Sequence, residues 1–192
     1  KLLNYRFNTT SDLNGHTIGN LLLTAAKNMT GSMSVGIRAL SKVLDLKGKV
    51  VPLTEDNVTL VGEMKDGSII EGEHNITENE KPIKRVFYKE MPKVSNEVKK
   101  AIRNADLIVL SMGSIFTSII PNLICEDIIK EIDKSEAKIM YCCNIVTQPG
   151  ETDDYSVSDH VLLLEEYLGK NSIDIVVANN MKMNSSLLKT YE

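Results

Sequence analysis

A chain of 192 residues with 42% hydrophobic and 25% charged residues has the composition of an ordinary soluble protein and can bury one substantial core. Its formal net charge of −4, with no basic cluster, argues against broad contact with nucleic acid and leaves small anionic ligands open. No apolar run reaches the roughly 18 residues of a membrane helix, so no membrane insertion is expected.

The chain begins with Lys1 and not Met, as expected of a fragment that has lost an N-terminal stretch. Its three cysteines, two of them the neighbours Cys142 and Cys143, form no CxxC motif. Neighbours on a strand point to opposite faces, so these thiols read as small buried hydrophobes of a reducing cytoplasm. A cytoplasmic location is the expectation.

In chain order, Ile18, Leu21, Leu22, Ala25, Ala26 and Met29 recur at helical spacing and predict a helix from His16 to about Met29. Gly31-Ser32 breaks it. Val35, Ala39, Leu40, Val43 and Leu44 mark a second amphipathic helix ending before Gly48, and Lys49 to Leu53 reads as a short strand. Alternating residues flank Lys65-Asp66-Gly67, a hairpin signal, and Ile83 to Tyr88 adds a further strand. Residues 55–90 therefore read as a small antiparallel β insertion. A helix over Ser95–Asn104 follows. Three short apolar strands then alternate with helices: Asp106–Ser111 (DLIVLS), Lys138–Cys143 (KIMYCC) and Ile173–Ala178 (IDIVVA). The intervening helices span about Glu126–Asp133 and, from an N-cap at Ser158, through Leu168. This rhythm predicts a single α/β domain over residues 1–192, with a mostly parallel sheet covered on both faces.

Ligands of open parallel sheets bind where strands give way to loops at their carboxyl ends. After DLIVLS, Gly113 is followed by Ser114, Thr117 and Ser118, and then Asn122. Backbone N–H and hydroxyl donors in such a place suit phosphate or ribose oxygens. A Gly turn with Ser and Thr capping the next helix is an equal reading. After KIMYCC, the loop Asn144–Asp154 offers Asn144, Thr147 and Gln148 for neutral hydrogen bonds. Its Gly150 forms a turn with Pro149, and Glu151 and Asp153 are acceptors for ligand hydroxyls or Mg²⁺, or else solvated acids. Asn179 and Asn180 end the third strand, as turn formers or ligand contacts. His16 and Asn20 lie one helical turn apart at the first helix's start, and could face one cleft. His160 reads as a surface or packing residue. No nucleophile–base pair, metal-ligand spacing or Walker-type loop is visible, so the catalytic residues are unknown and the signals are those of a binding cleft.

Taken together, Asn4–Phe7 (NYRF), Gly15–Leu22 (GHTIGNLL), Gly113–Asn122 (GSIFTSIIPN), Cys143–Asp153 (CNIVTQPGETD), Ser158–Val161 (SDHV) and Asn179-Asn180 resemble, in order, the motifs of the gluconeogenesis factor family. The resemblance implies a Rossmann-like three-layer α/β/α fold, similar to that of 2-phospho-L-lactate transferase. That enzyme moves a phospholactyl group from a guanosine diphosphate carrier to a deazaflavin precursor, using Mg²⁺. The bacterial branch, which this sequence resembles more, is associated with cell shape and wall synthesis during gluconeogenic growth. It is thought to bind UDP-sugars such as UDP-N-acetylglucosamine. Family chains open with a Gly-Gly-Gly-Thr-Gly type loop, absent here, and continue beyond Glu192. Ser111-Met112 stands where the family has Gly-Pro, and Ile115-Phe116 where it has Leu-Tyr.

The implied function is thus a UDP-sugar-binding regulatory protein. In this reading Gly113, Ser114, Thr117, Ser118 and Asn122 form one wall of the site. Asn144, Thr147, Gln148, Gly150, Glu151 and Asp153 form another, with His16, Asn20 and Asn180 nearby. The alternative is a transferase acting on a nucleotide diphosphate carrier, with Asp153 or Glu151 holding Mg²⁺. Cell-wall synthesis proteins and a second copy of the chain, in a homo-oligomer, are the expected protein partners.

Overall fold

The computed structural model describes residues 1–181, which fall into two compact units. The first comprises Lys1–Asn57 with Lys93–Val98, and the second Val58–Pro92 with the chain from Lys99 onward.

In the first unit, helix α1 (Ile18–Thr30) starts because the Thr17 hydroxyl accepts the Asn20 N–H. It ends because Gly31 adopts φ 74° and returns its N–H to the Lys27 carbonyl. His16 lies just outside the helix, which begins two residues later than its apolar spacing suggests. Helix α2 (Met33–Val43) is capped by Ser32 and also by Glu55, whose carboxylate accepts from Ser32 Oγ and the N–H groups of Met33 and Ser34. The two helices cross at Gly36, where a Cβ would lie 2.9 Å from the Ala26 carbonyl carbon. No strand forms over Lys49–Leu53. Pro52 lacks an N–H, and Leu53 gives its carbonyl to the Ser95 N–H, so the segment pairs through side links and not as a ladder.

The second unit opens with β1 (Leu60–Met64) and β2 (Ile69–Glu71), joined through a turn in which Gly67 takes φ 84°. A short helix, α3 (Glu73–Thr77), leads to β3 (Ile83–Tyr88), and the antiparallel order is β2-β1-β3. Helix α4 (Asn96–Arg103) straddles the division between the units. The parallel sheet β4-β5-β6 comprises β4 (Leu107–Leu110), β5 (Lys138–Cys142) and β6 (Ile175–Val177). Between β4 and β5 run a π-helical turn (Ile115–Ile119), α5 (Ile120–Leu123) and α6 (Glu126–Ile132). Helix α7 (Val157–Tyr167) joins β5 to β6.

The mixed α/β fold, with a parallel sheet and a small antiparallel sheet, is the one the sequence predicts. The cap of α7 differs: Ser156 fills it, in place of Ser158. A capping box needs an acid three residues on, and only Ser156 has one, Asp159, whose carboxylate accepts the Ser156 N–H at 2.8 Å.

Leu110, Ile139 and Tyr141 are buried, as are Ile115, Phe116, Ile119, Ile120 and Leu123 after β4 and Leu164 and Leu168 around α7. Leu107 and Val109, which share one face of β4, and all three residues of β6 are exposed among the described residues. No helix among the described residues is long and apolar enough to cross a membrane.

Candidate functional site

Two loops meet at the carboxyl ends of β4 and β5. The first is built around a single turn of π-helix, a form that is rare and found often at functional sites. Ser114 starts it: its hydroxyl accepts the Thr117 N–H at 2.9 Å, and its carbonyl accepts the N–H groups of Ser118 and Ile119. Ile120 N–H reaches back five residues to the Ile115 carbonyl. Pro121 follows and has no N–H to give, so the tighter α-helical ladder is broken at this turn. Ile115, Phe116 and Ile119 face inward and hold the turn against the core.

The second loop is locked onto the first by two side chains. Asn144 accepts the Gly113 N–H at 3.2 Å and donates to the Gly113 carbonyl at 2.9 Å, a two-way clasp that uses both ends of the amide. Glu151, only 6% exposed, accepts from Ser114 Oγ at 2.6 Å and from Phe116 N–H at 3.5 Å. Its carboxylate thus sits at the N-terminal end of the turn, in the position an anion takes at a helix start.

Within the second loop, Thr152 Oγ1 accepts the Gln148 N–H and Asp153 accepts the Gly150 N–H. Gly150, at φ 76°, lies so close to the Asn79–Glu80 backbone that a Cβ would stand 2.7 Å from the Asn79 carbonyl oxygen. The Gly150 carbonyl accepts the Ile83 N–H, which anchors the loop on the antiparallel sheet.

The predicted site residues therefore fall into four groups. Gly113, Ser114, Thr117, Asn144, Gly150, Glu151 and Asp153 are brought together, and their hydrogen bonds run largely to one another. Ser118, Asn122, Thr147 and Asn180 are exposed around the strand ends, with the Asn122 amide donating to the Ser118 carbonyl. Gln148 is half-buried, and its Oε1 is buried without a partner among the described residues. His16 and Asn20 belong to the first unit, where both are exposed.

Residues outside the predicted ligand set also contribute to this architecture. Thr77 donates to Thr117 Oγ1 at 3.4 Å, and Thr152 is buried under the loop. His160, 3% exposed, packs edge-to-face on Tyr155 at 5.3 Å and stacks with Tyr141 at 6.5 Å. Its Nδ1 bonds the Ser156 carbonyl at 2.8 Å. Burial, with the Cys143 thiol next, raises the Tyr141 hydroxyl pKa well above the ordinary tyrosine range, and burial also raises Tyr155. The one sequence signal for this cluster is the Ser156-x-x-Asp159 box, which places His160 in the first turn of α7.

Among the described residues, no three His, Cys, Asp or Glu side chains cluster where they could hold a metal. Glu151 turns to Ser114 and Asp153 to the Gly150 N–H, so these two carboxylates fit a role as loop braces better than as a Mg²⁺ centre.

The profile of the family described as 2-phospho-L-lactate transferase CofD matches residues 1–192. The chain is 42% identical over 192 residues to the gluconeogenesis factor of Bacillus subtilis, covering 100% of this chain and 61% of that protein. The putative gluconeogenesis factor of Thermotoga maritima is 42% identical over 191 residues, covering 100% and 60%. A crystal structure of protein BH3568 from Bacillus halodurans is similar at a TM-score of 0.89 and 39% identity, covering 99% of this chain and 61% of that one. The chain therefore spans about three fifths of the length of these relatives. With a family match from one end of the sequence to the other, the chain belongs to the 2-phospho-L-lactate transferase CofD family, and its curated relatives there are gluconeogenesis factors.

Proposed function

We propose that this chain is the core of a UDP-sugar-binding regulatory protein that supports cell shape and wall synthesis during gluconeogenic growth. The observation that carries the reading is the clasp between Asn144 and Gly113, which fixes the ends of two adjacent parallel strands into one platform. That is where open α/β sheets take nucleotide ligands. Ser118, Thr147 and Asn180 are exposed in the segments that follow the three parallel strands, and their hydroxyls and amides suit base, ribose or phosphate. Glu151 and Ser114 satisfy each other, which suits a rigid binding surface whose donors do not have to rearrange.

A thermal-shift panel on the full-length protein tests this, comparing UDP-sugars, GDP and NAD, each with and without Mg²⁺. A ligand at about 100 times its Kd adds roughly 2.7 kcal/mol of stability, which moves the melting midpoint by several degrees or less according to size. A shift specific to UDP-sugars supports the reading, and no shift with any of them counts against it. The physiological half is checked separately. A deletion strain on a gluconeogenic carbon source is expected to lose its normal shape, and an unchanged shape would contradict the role.

A second reading follows from the family description itself, which names a transferase. Here a group would pass from a nucleotide diphosphate carrier to an acceptor. Metal-dependent release of free nucleotide on mixing with a deazaflavin acceptor would favour it over the regulatory reading, and absence of turnover would remove it.

A further inference from the structure

A partly enclosed cleft of about 300 Å³ lies between the antiparallel sheet and the turn after β4. Val58, Thr59 and Leu60 line one side, with Gly72, Glu73 and Tyr88, and Thr117 and Pro121 close the other. Its volume is at the small end of ligand pockets, which run roughly from 300 to 1,000 Å³, so it suits a single ring and is too small for a whole nucleotide. The lining mixes apolar surface with polar tips, the pattern that holds a sugar by its faces and its hydroxyls.

Two features set the chemistry. Glu73 is the one charged residue in the wall and makes no ion pair among the described residues, so an anionic ligand group is disfavoured. Neither this carboxylate nor the Tyr88 hydroxyl makes a hydrogen bond among the described residues. Burial, then the Cys125 thiol and Glu73, pushes the Tyr88 pKa up to about 12, so the hydroxyl keeps its proton and remains a donor. A residue that can accept and one that can donate thus line one space, together with Thr59.

Thr117 links this cleft to the strand-end platform. It lines the cleft, and its hydroxyl is bonded to Ser114 Oγ at 2.6 Å. We propose that the cleft is a subsite for a neutral, hydroxyl-rich ring of monosaccharide size, placed one side chain away from the nucleotide platform. This rests on the nucleotide-sugar reading above and deepens it: the sugar, and not the nucleotide, is read by Glu73 and Tyr88.

The test measures the affinities of UDP and UDP-N-acetylglucosamine by titration calorimetry on the full-length protein, as wild type, Tyr88→Phe and Glu73→Gln. Both side chains are at the cleft surface, and unchanged melting of each variant in the absence of ligand confirms its fold. A further variant, Thr59→Val, probes the same wall without touching Glu73 or Tyr88. The wild type is expected to prefer the sugar nucleotide. Each substitution is expected to cut that preference about fivefold, the value of one lost hydrogen bond, with UDP affinity within about twofold of wild type. An unchanged preference in the folded variants overturns the subsite while leaving nucleotide binding intact, as does equal affinity of the wild type for both ligands. Failure of both ligands to bind the wild type overturns the subsite and the nucleotide reading together.

Discussion

The two units are held by different forces. In the first, α1 and α2 rest on caps at Thr17, Gly31, Ser32 and Glu55 and on a close backbone crossing at Gly36, while Leu2, Leu22, Val43, Leu44 and Val50 stay exposed. In the second, two sheets and the π-helical turn share a dense apolar core. The candidate platform stands on that core: Phe116, in the turn that Ser114 caps, is 1% exposed. The contrast teaches that local hydrogen bonds can specify helices without much burial, whereas a loop meant to keep its shape at a strand end needs packing under it.

The strongest way to break this contrast is to empty the core below the platform. Phe116→Ala is expected to destabilise the second unit by about 3–5 kcal/mol, read from urea unfolding, because it removes the ring and leaves a cavity. A loss below about 1 kcal/mol would mean the turn is not held by packing. Next, Glu151→Ala leaves Ser114 Oγ without its acceptor. It is expected to cost about 1–3 kcal/mol and to accelerate amide exchange at Phe116, whereas an effect confined to ligand affinity would assign Glu151 to the ligand.

In the first unit, Gly36→Ala drives a methyl group against the Ala26 backbone and is expected to loosen the helix pair by about 1–3 kcal/mol, seen as lost α-helical circular dichroism. The smallest effect concerns Glu55. Hydrogen bonds from Ser34 first, and from Met33 and Ser32, hold its carboxyl at about 2 against an ordinary 4.5. Because the folded-state value is depressed, its contribution is present above pH 4.5 and is lost as pH falls toward about 2. Protection of the Met33 and Ser34 amides is expected to fall across that window in the wild type, and to show no such step in Glu55→Gln.

Much of this arrangement was legible in the sequence because it is written locally. The apolar runs around Leu107, Ile139 and Ile175 became parallel strands, Asp66-Gly67 became a turn, and both strand-end loops could be located from the strands that precede them. Helix α3 was missed because Glu73–Thr77 carries a single buried side chain, Ile76, and so shows no period. The strand expected over Lys49–Leu53 failed because alternation does not supply a pairing neighbour. Within the candidate site, residue types gave the donors and acceptors but not their targets. Glu151 read as a ligand acceptor or solvated acid until Ser114, 37 positions earlier, took its carboxylate into the interior. Asn144 likewise read as a ligand contact, yet both ends of its amide meet Gly113, 31 positions away. Such pairings depend on the packing of two loops and leave no trace in local spacing.

The most direct test of the account is hydrogen exchange across the full-length protein with and without saturating UDP-N-acetylglucosamine. The account predicts slowed exchange in two segments of the second unit, residues 111–118 and 144–150, which flank the Asn144–Gly113 clasp. Binding accompanied by protection elsewhere, with these two segments unchanged, would contradict it.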